Sequence, residues 1–248
     1  MPLDHLKQRL GENFGSAQKT ALDASMDAQF QVAETTRTTA VDLLKSIEMV
    51  LQPDPAVRLT GLTPFDNNKL ETLGAAFQTA SARVGAMSTV GRSYGILGDA
   101  ETKVGNLERS MIKKVDYYVL ESLRNFQNVE YKKIADGKAK LNERRIALDA
   151  VKNQIRKHPN KADALDAKLK EVTIQFQEEC NRVKELLALN PQHQQNMLMR
   201  GRDFVKAQIE YFTRAAELLQ SALTDLPMTP QQLSGSDKRT VATKTAVL

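Results

Sequence analysis

LESLRNFQNVEYKKIADGKAKLNERRIALDAVKNQIRKH, residues 120–158, carries Ile134, Leu141, Leu148 and Ile155 at intervals of seven. Seven residues are close to two helical turns, so these side chains share one seam, as in a coiled coil or a long bundle. The stretch closes a longer one, because no proline occurs in the 94 residues between Pro64 and Pro159. A helix filling that length would span on the order of 100 Å, too long for an ordinary compact domain. The spacing therefore predicts an elongated all-α chain built as a three-helix antiparallel coiled coil.

Working outward, the second helix is read from near Lys69, with Leu73, Phe77, Ala80, Val84 and Met87, then Val104, Leu107, Met111, Val115, Leu123 and Phe126. Glycines at 85, 91, 95, 98 and 105 interrupt it. Each costs about 1 kcal/mol relative to alanine, which makes sense where another backbone comes very close. Upstream, Phe30, Val41, Leu44, Ile47 and Leu51 mark a first helix over about Thr20–Gln52, ended by Pro53 and Pro55. The connection from Asp54 to Asn68 reads as a loop with Leu59, Leu62 and Phe65 as an exposed apolar element. Downstream, His158, Pro159 and Asn160 form a tight turn, and Asp163 is placed to help begin the third helix. Leu165, Leu169, Val172, Phe176, Cys180, Val183 and Leu187 give its stripe. Pro191 should bend or interrupt that helix, and Val205, Ile209, Phe212, Ala216, Leu219 and Leu223 resume the stripe before Pro227.

At the N-terminus, Leu3, Leu6, Leu10 and Phe14 fall on one helical face with Lys7 and Arg9 beside it. Gly11 and Gly15 weaken this helix in water, so it is expected to order on an apolar surface, as interfacial amphipathic helices do. The chain divides into a leader over 1–17, one folding unit over 18–226 and a polar tail over 227–248 expected to be disordered. Three long helices leave an apolar stripe that a second copy would cover, so a homodimer is expected.

Charge is local. Residues 132–170 hold twelve basic and five acidic side chains, while the remainder holds 23 and 25. Such a patch suggests contact with an anionic surface. Lys133, Lys140 and Arg144 fall on one side of the seam and Lys138, Arg145, Lys152 and Arg156 on the other. Lysines flanking a seam are commonly solvated, but Lys152, Arg156, Lys157 and Lys161 crowd where two helices meet. Near an anionic leaflet each is worth about 1 kcal/mol.

Other chemistry is not signalled. His5, His158 and His193 are scattered, no phosphate-binding glycine loop follows a strand, and no serine sits in a nucleophile elbow. Cys180, the single cysteine, lies on an apolar stripe and reads as a small core residue. No enzymatic activity, cofactor, metal or nucleic-acid partner is expected. A reducing, cytoplasmic setting with membrane contact from one side follows from the lone cysteine and the lack of a membrane-spanning run.

LKSIEMVLQPDPAVR, Leu44–Arg58, is similar to the end of the first helix in endophilins, which typically read LLQPNP followed by a basic residue. Leu120–Ala150 resembles the middle of the endophilin second helix, most closely the endophilin-B branch, and DFVKAQIEYFTRAAELLQ, Asp203–Gln220, supports the same family. The resemblance covers roughly residues 18–226. It implies a BAR domain: a crescent-shaped homodimer that binds curved, anionic phospholipid membranes through its concave face and tips, in vesicle or organelle membrane trafficking. It further implies that Lys152, Arg156, Lys157 and Lys161 form a basic tip, and that Leu3, Leu6, Leu10 and Phe14 insert among the headgroups with Lys7 and Arg9 beside them. Lys133, Lys140 and Arg144 would add to the membrane-facing charge. Gly91, Gly95 and Gly98, with Val205, Ile209, Phe212 and Leu219, would lie at the dimer centre.

Three features depart from the endophilin pattern. The chain ends in a tail where endophilins carry an SH3 domain, so proline-rich partners are not expected. The insert after Pro55 is short, and Glu121 and Ser122 stand where relatives often have a proline. The alternative reading is a soluble helical scaffold that mediates protein–protein interaction without remodelling membranes.

Overall fold

A computed structural model describes residues 19–63 and 68–227, and every regular element among them is helical. These are α1 (Ala24–Leu51), α2 (Pro55–Arg58), α3 (Lys69–Val84), α4 (Thr89–Val115), α5 (Glu121–Asn125), α6 (Tyr131–Lys157), α7 (Ala162–Ala188) and α8 (Asn190–Asp225). The leader residues Leu3, Leu6, Lys7, Arg9, Leu10 and Phe14 lie outside the described residues, as do Phe65 and the tail from residue 228. The described residues form two compact units, one from residues 19–44 and 122–199, the other from 45–63, 68–121 and 200–227.

In the first unit α6 and α7 pack as a hairpin closed by a 3-10 turn at Pro159–Lys161. Pro159 suits the start of that turn because its missing N–H is not needed there. The seam is buried as its spacing requires: Ile134 and Leu141 join Met26, Phe30, Ala33, Val183 and Leu187, while Leu148 packs with Val151 and Val172. Each large aliphatic side chain so buried contributes roughly 1.5–3 kcal/mol. Gly137 lets α7 approach, since a Cβ there would stand 3.2 Å from Val183. Asp163 lies in the first turn of α7, favourable for the helix dipole, but it is not the cap; Lys161 holds that position without a side-chain hydrogen bond.

The second unit departs from the sequence reading. The helix from Lys69 does not run on; it stops at Val84, where Gly85 takes φ +89°, and α4 starts afresh behind Ser88, whose hydroxyl accepts from the Gly91 N–H. A positive φ is open to glycine and costly for other residues, so Gly85 fixes the break. α3 then packs against α4 as a second hairpin. Asn68 begins α3 with a capping box to Glu71, and its Nδ2 donates to the Gly105 carbonyl at 2.8 Å.

From Thr89 to Lys157 the backbone stays helical, with π turns at Asp116–Leu120 and Phe126–Glu130 flanking α5. These π turns accommodate extra residues within the helical ladder. Pro191 separates α7 from α8 at Leu189, as expected from its ring. The connection after α1 is partly ordered: Asp54 caps α2, and Arg58 Nη1 donates to the carbonyls of Gln52 and Pro53 at 2.6 and 2.9 Å.

Candidate functional site

The end of α6 and the turn after it carry a dense cluster of exposed cations in the first unit. Lys152, Arg156, Lys157 and Lys161 are all exposed there, placed by the same hairpin that buries Leu148 and Val151. Lys157 and Lys161 form no ion pair with any described residue. Lys152 donates from Nζ to the Thr20 hydroxyl at 3.3 Å. The cluster can bind an anionic surface, and exposed His158 lies within it.

Lys133, Lys140 and Arg144, also singled out in the sequence, have partners within the chain. Lys133 pairs with Glu130 at 3.0 Å, Lys140 with Glu179 at 3.1 Å, and Arg144 donates to Gln175 Oε1 at 2.7 Å. Glu179 is buried and is held also by Arg182 at 2.5 Å. Burial opposes its charge, yet the hydrogen bonds from Arg182 and Lys140 leave its pKa below the ordinary range. Lys140 and Arg144 therefore tie α6 to α7 as much as they charge the surface. Arg145 is not a solvated flank residue: it is buried and pairs with buried Asp149 at 3.0 Å. The sequence held a signal for this, since an i,i+4 pair of opposite charges sits beside the apolar Leu141, Ile146 and Leu148.

The glycines do meet another backbone closely, but it belongs to the same chain. A Cβ on Gly98 would lie 2.9 Å from the Gly74 carbonyl oxygen of α3, and one on Gly91 would collide with Gly85. Gly95 faces the Ser81 hydroxyl. Small residues here close the α3–α4 hairpin.

On α8 the stripe resumes without a cover. Val205, Ile209, Phe212 and Leu219 are 51, 60, 61 and 44% exposed, and Leu198 and Leu223 extend the row. The apolar residues that the same helix buries are Ala207, Ala215 and Ala222. A helix with large apolar residues outside and alanines inside is built to meet something on its outer face.

Cys180 is half-buried against the core of the first unit, and that burial pushes its thiol pKa up, away from nucleophilic use. A groove of about 300 Å³ in the second unit has Val115, Val119 and Ala207 as walls with Lys114, Arg200 and Lys206 at its rim. Tyr118 and Asp203 complete its lining. Among the described residues no group of three metal-ligating side chains occurs, and no helix is long and apolar enough to cross a membrane.

Residues 3–226 match the BAR domain family model. The chain belongs to the BAR domain family, a class of helical proteins that act on membrane curvature. Among its relatives, endophilin-B1 of Homo sapiens is 26% identical over 245 residues, covering 94% of this chain and 66% of its own length. Endophilin-B1 of Gallus gallus is 29% identical over 234 residues, covering 88% of this chain and 63% of its own. Endophilin-B2 of Homo sapiens is 30% identical over 165 residues, 63% of this chain and 41% of its own. The chain thus spans about two thirds of the length of the endophilin-B1 relatives. Among solved structures, the N-terminal I-BAR domain of D. discoideum IBARa aligns with a TM-score of 0.41 and 11% identity, over 92% of this chain and all of that one.

Proposed function

We propose that the protein is a homodimer that binds anionic phospholipid membranes peripherally, from the cytoplasmic side, and senses or generates their curvature in membrane trafficking. The observation that carries this reading is the exposed cluster of Lys152, Arg156, Lys157 and Lys161 at the end of a rigid hairpin, in a chain that matches the BAR family almost throughout. Four cations near an anionic leaflet supply about 4 kcal/mol at low salt, a pull that fades within a Debye length. The uncovered row of Val205, Ile209, Phe212 and Leu219 supports pairing, because a second α8 would bury these side chains at roughly 1.5–3 kcal/mol each. Pairing doubles the cationic ends, and linked weak contacts gain from effective concentration. Leu3, Leu6, Leu10 and Phe14 act as the wedge, with Lys7 and Arg9 on headgroups, and the wedge expands one leaflet while the paired helices impose their shape.

Co-sedimentation with phosphatidylserine vesicles tests the reading. Binding at low salt is expected to exceed that to neutral vesicles by more than about tenfold, and Lys152→Glu, Arg156→Glu, Lys157→Glu and Lys161→Glu together should abolish the difference while leaving the dimer intact. Equal binding to neutral and anionic vesicles would instead favour a soluble scaffold.

A further inference from the structure

The groove of about 300 Å³ in the second unit lies beside the π turn at Asp116–Leu120. Such turns interrupt the regular helical ladder and occur often at functional sites. Here the Tyr118 carbonyl within the turn accepts from Arg200 Nη1 at 3.2 Å, which ties α8 to the turn. Val115 and Val119 are buried on one side of the groove and Ala207 on the other, so its walls are apolar. Arg200 makes both of its contacts through one nitrogen. Nη1 also reaches Asp203 Oδ2 at 3.0 Å, whereas Nε is buried and has no hydrogen-bond partner among the described residues. A buried donor without an acceptor is costly. Nε and its neighbour Nη2 form an edge with two parallel N–H groups, the geometry that receives a carboxylate bidentately.

Charge and placement narrow the occupant. Among the lining residues Lys114, Arg200 and Lys206 outnumber Asp203, which favours an anion. Lys114 is engaged by Glu210 at 2.5 Å, while exposed Lys206 forms no ion pair with any described residue. Successive residues of an α-helix turn by about 100°, which sets Asp203 and Ala207 on the opposite side of α8 from Val205, Ile209 and Phe212. A second copy laid on that apolar row therefore leaves the α8 wall of the groove uncovered.

We infer that this groove binds a single-chain amphiphile with a carboxylate head, a fatty acid of medium length. The carboxylate accepts from Nε and Nη2 of Arg200 beside the Lys206 ammonium, and the alkyl chain lies along Val115, Val119 and Ala207. A volume of about 300 Å³ is at the lower limit of small-molecule sites, which suits one short chain and excludes the two chains of a phospholipid. The inference stands apart from the membrane reading, since it needs neither the cations at the end of α6 nor a bilayer.

Isothermal titration calorimetry of the full chain with sodium decanoate, kept below its micelle-forming concentration, is the test. Saturable binding of one decanoate per chain is expected, at least about tenfold tighter than decan-1-ol, which lacks the charge. Acetate, which lacks the chain, should show no saturable binding. Lys206→Gln, at an exposed position, should weaken decanoate about threefold, and Arg200→Gln about tenfold. Ala207→Leu fills the groove and should abolish binding while circular dichroism stays that of the parent. Methyl NMR of the unaltered chain frees the test from the folding of any variant: the Val115 and Val119 signals should shift on adding decanoate, and that of Val183 in the first unit should not. Absent binding by the parent, equal affinity for decan-1-ol, a folded Ala207→Leu variant that binds as the parent does, or shifts that spare Val115 and Val119 would each overturn the inference. Binding gained only in Ile209→Asp with Phe212→Asp would show a second copy covering the groove, and would overturn it equally.

Discussion

Gly74 and Gly201 carry opposite expectations although both lie inside helices. A Cβ on Gly74 would collide with Thr102 and stand 2.8 Å from the Gly98 carbonyl oxygen, whereas one on Gly201 would meet nothing within 4 Å. Gly74→Ala should therefore destabilise the chain by about 1–3 kcal/mol, and Gly201→Ala should stabilise it by about 0.5–1 kcal/mol through helix propensity. Urea denaturation at one fixed protein concentration measures both. Lys140 and Lys157 differ in a similar way. Lys140→Glu places a second carboxylate against buried Glu179 and should cost about 1–2 kcal/mol of stability, while Lys157→Glu should leave stability unchanged and weaken vesicle binding. Glu34 predicts an acid response: hydrogen bonds from Arg37 and then Tyr131 hold its carboxyl at about 2. A depressed carboxylate adds stability above its unfolded value near 4.5 and loses it as pH falls toward 2. For a partly exposed group that is no more than about 1 kcal/mol, and Glu34→Gln should flatten this part of the pH profile. Arg145 shows why sequence failed at this scale. Its charge and its place beside the seam read as a solvated flank, whereas in the fold it is buried and its partner Asp149 also accepts from Thr20, far away in sequence.

The elements were more legible than their partners. α1, α7 and α8 appear within a few residues of their expected bounds, because apolar periodicity and Pro53, Pro191 and Pro227 are local signals. The α3–α4 hairpin was not legible. The helical period continues across Gly85–Ser88, so a break made by one positive φ leaves the stripe almost undisturbed. The same glycines that fit a crossing of two copies also fit a hairpin within one, and spacing alone does not separate the two. α8 supports the sequence reading from another direction, since the side chains expected to meet a second copy are those left exposed. Ile209→Asp with Phe212→Asp should shift the protein to monomer while keeping its helicity, as read by light scattering and circular dichroism. A double variant that stays dimeric would remove this helix face from the interface.

For the whole molecule, self-pairing comes before every membrane property. A single copy offers one cationic end and leaves the α8 row exposed, whereas in the proposed dimer two copies would bury that row and present two ends to one bilayer. Curvature can be imposed only by a body that is rigid over the distance between its contacts, so the paired state is the unit on which the proposed function rests. Raising salt should weaken the lipid contact without dissociating the dimer, because the first is electrostatic and the second apolar. Small-angle X-ray scattering of the free protein tests this pairing most directly. The expected result is twice the 27.6 kDa chain mass with the long-tailed distance distribution of an extended, bent particle. One chain mass with the symmetric distribution of a compact globule would contradict it.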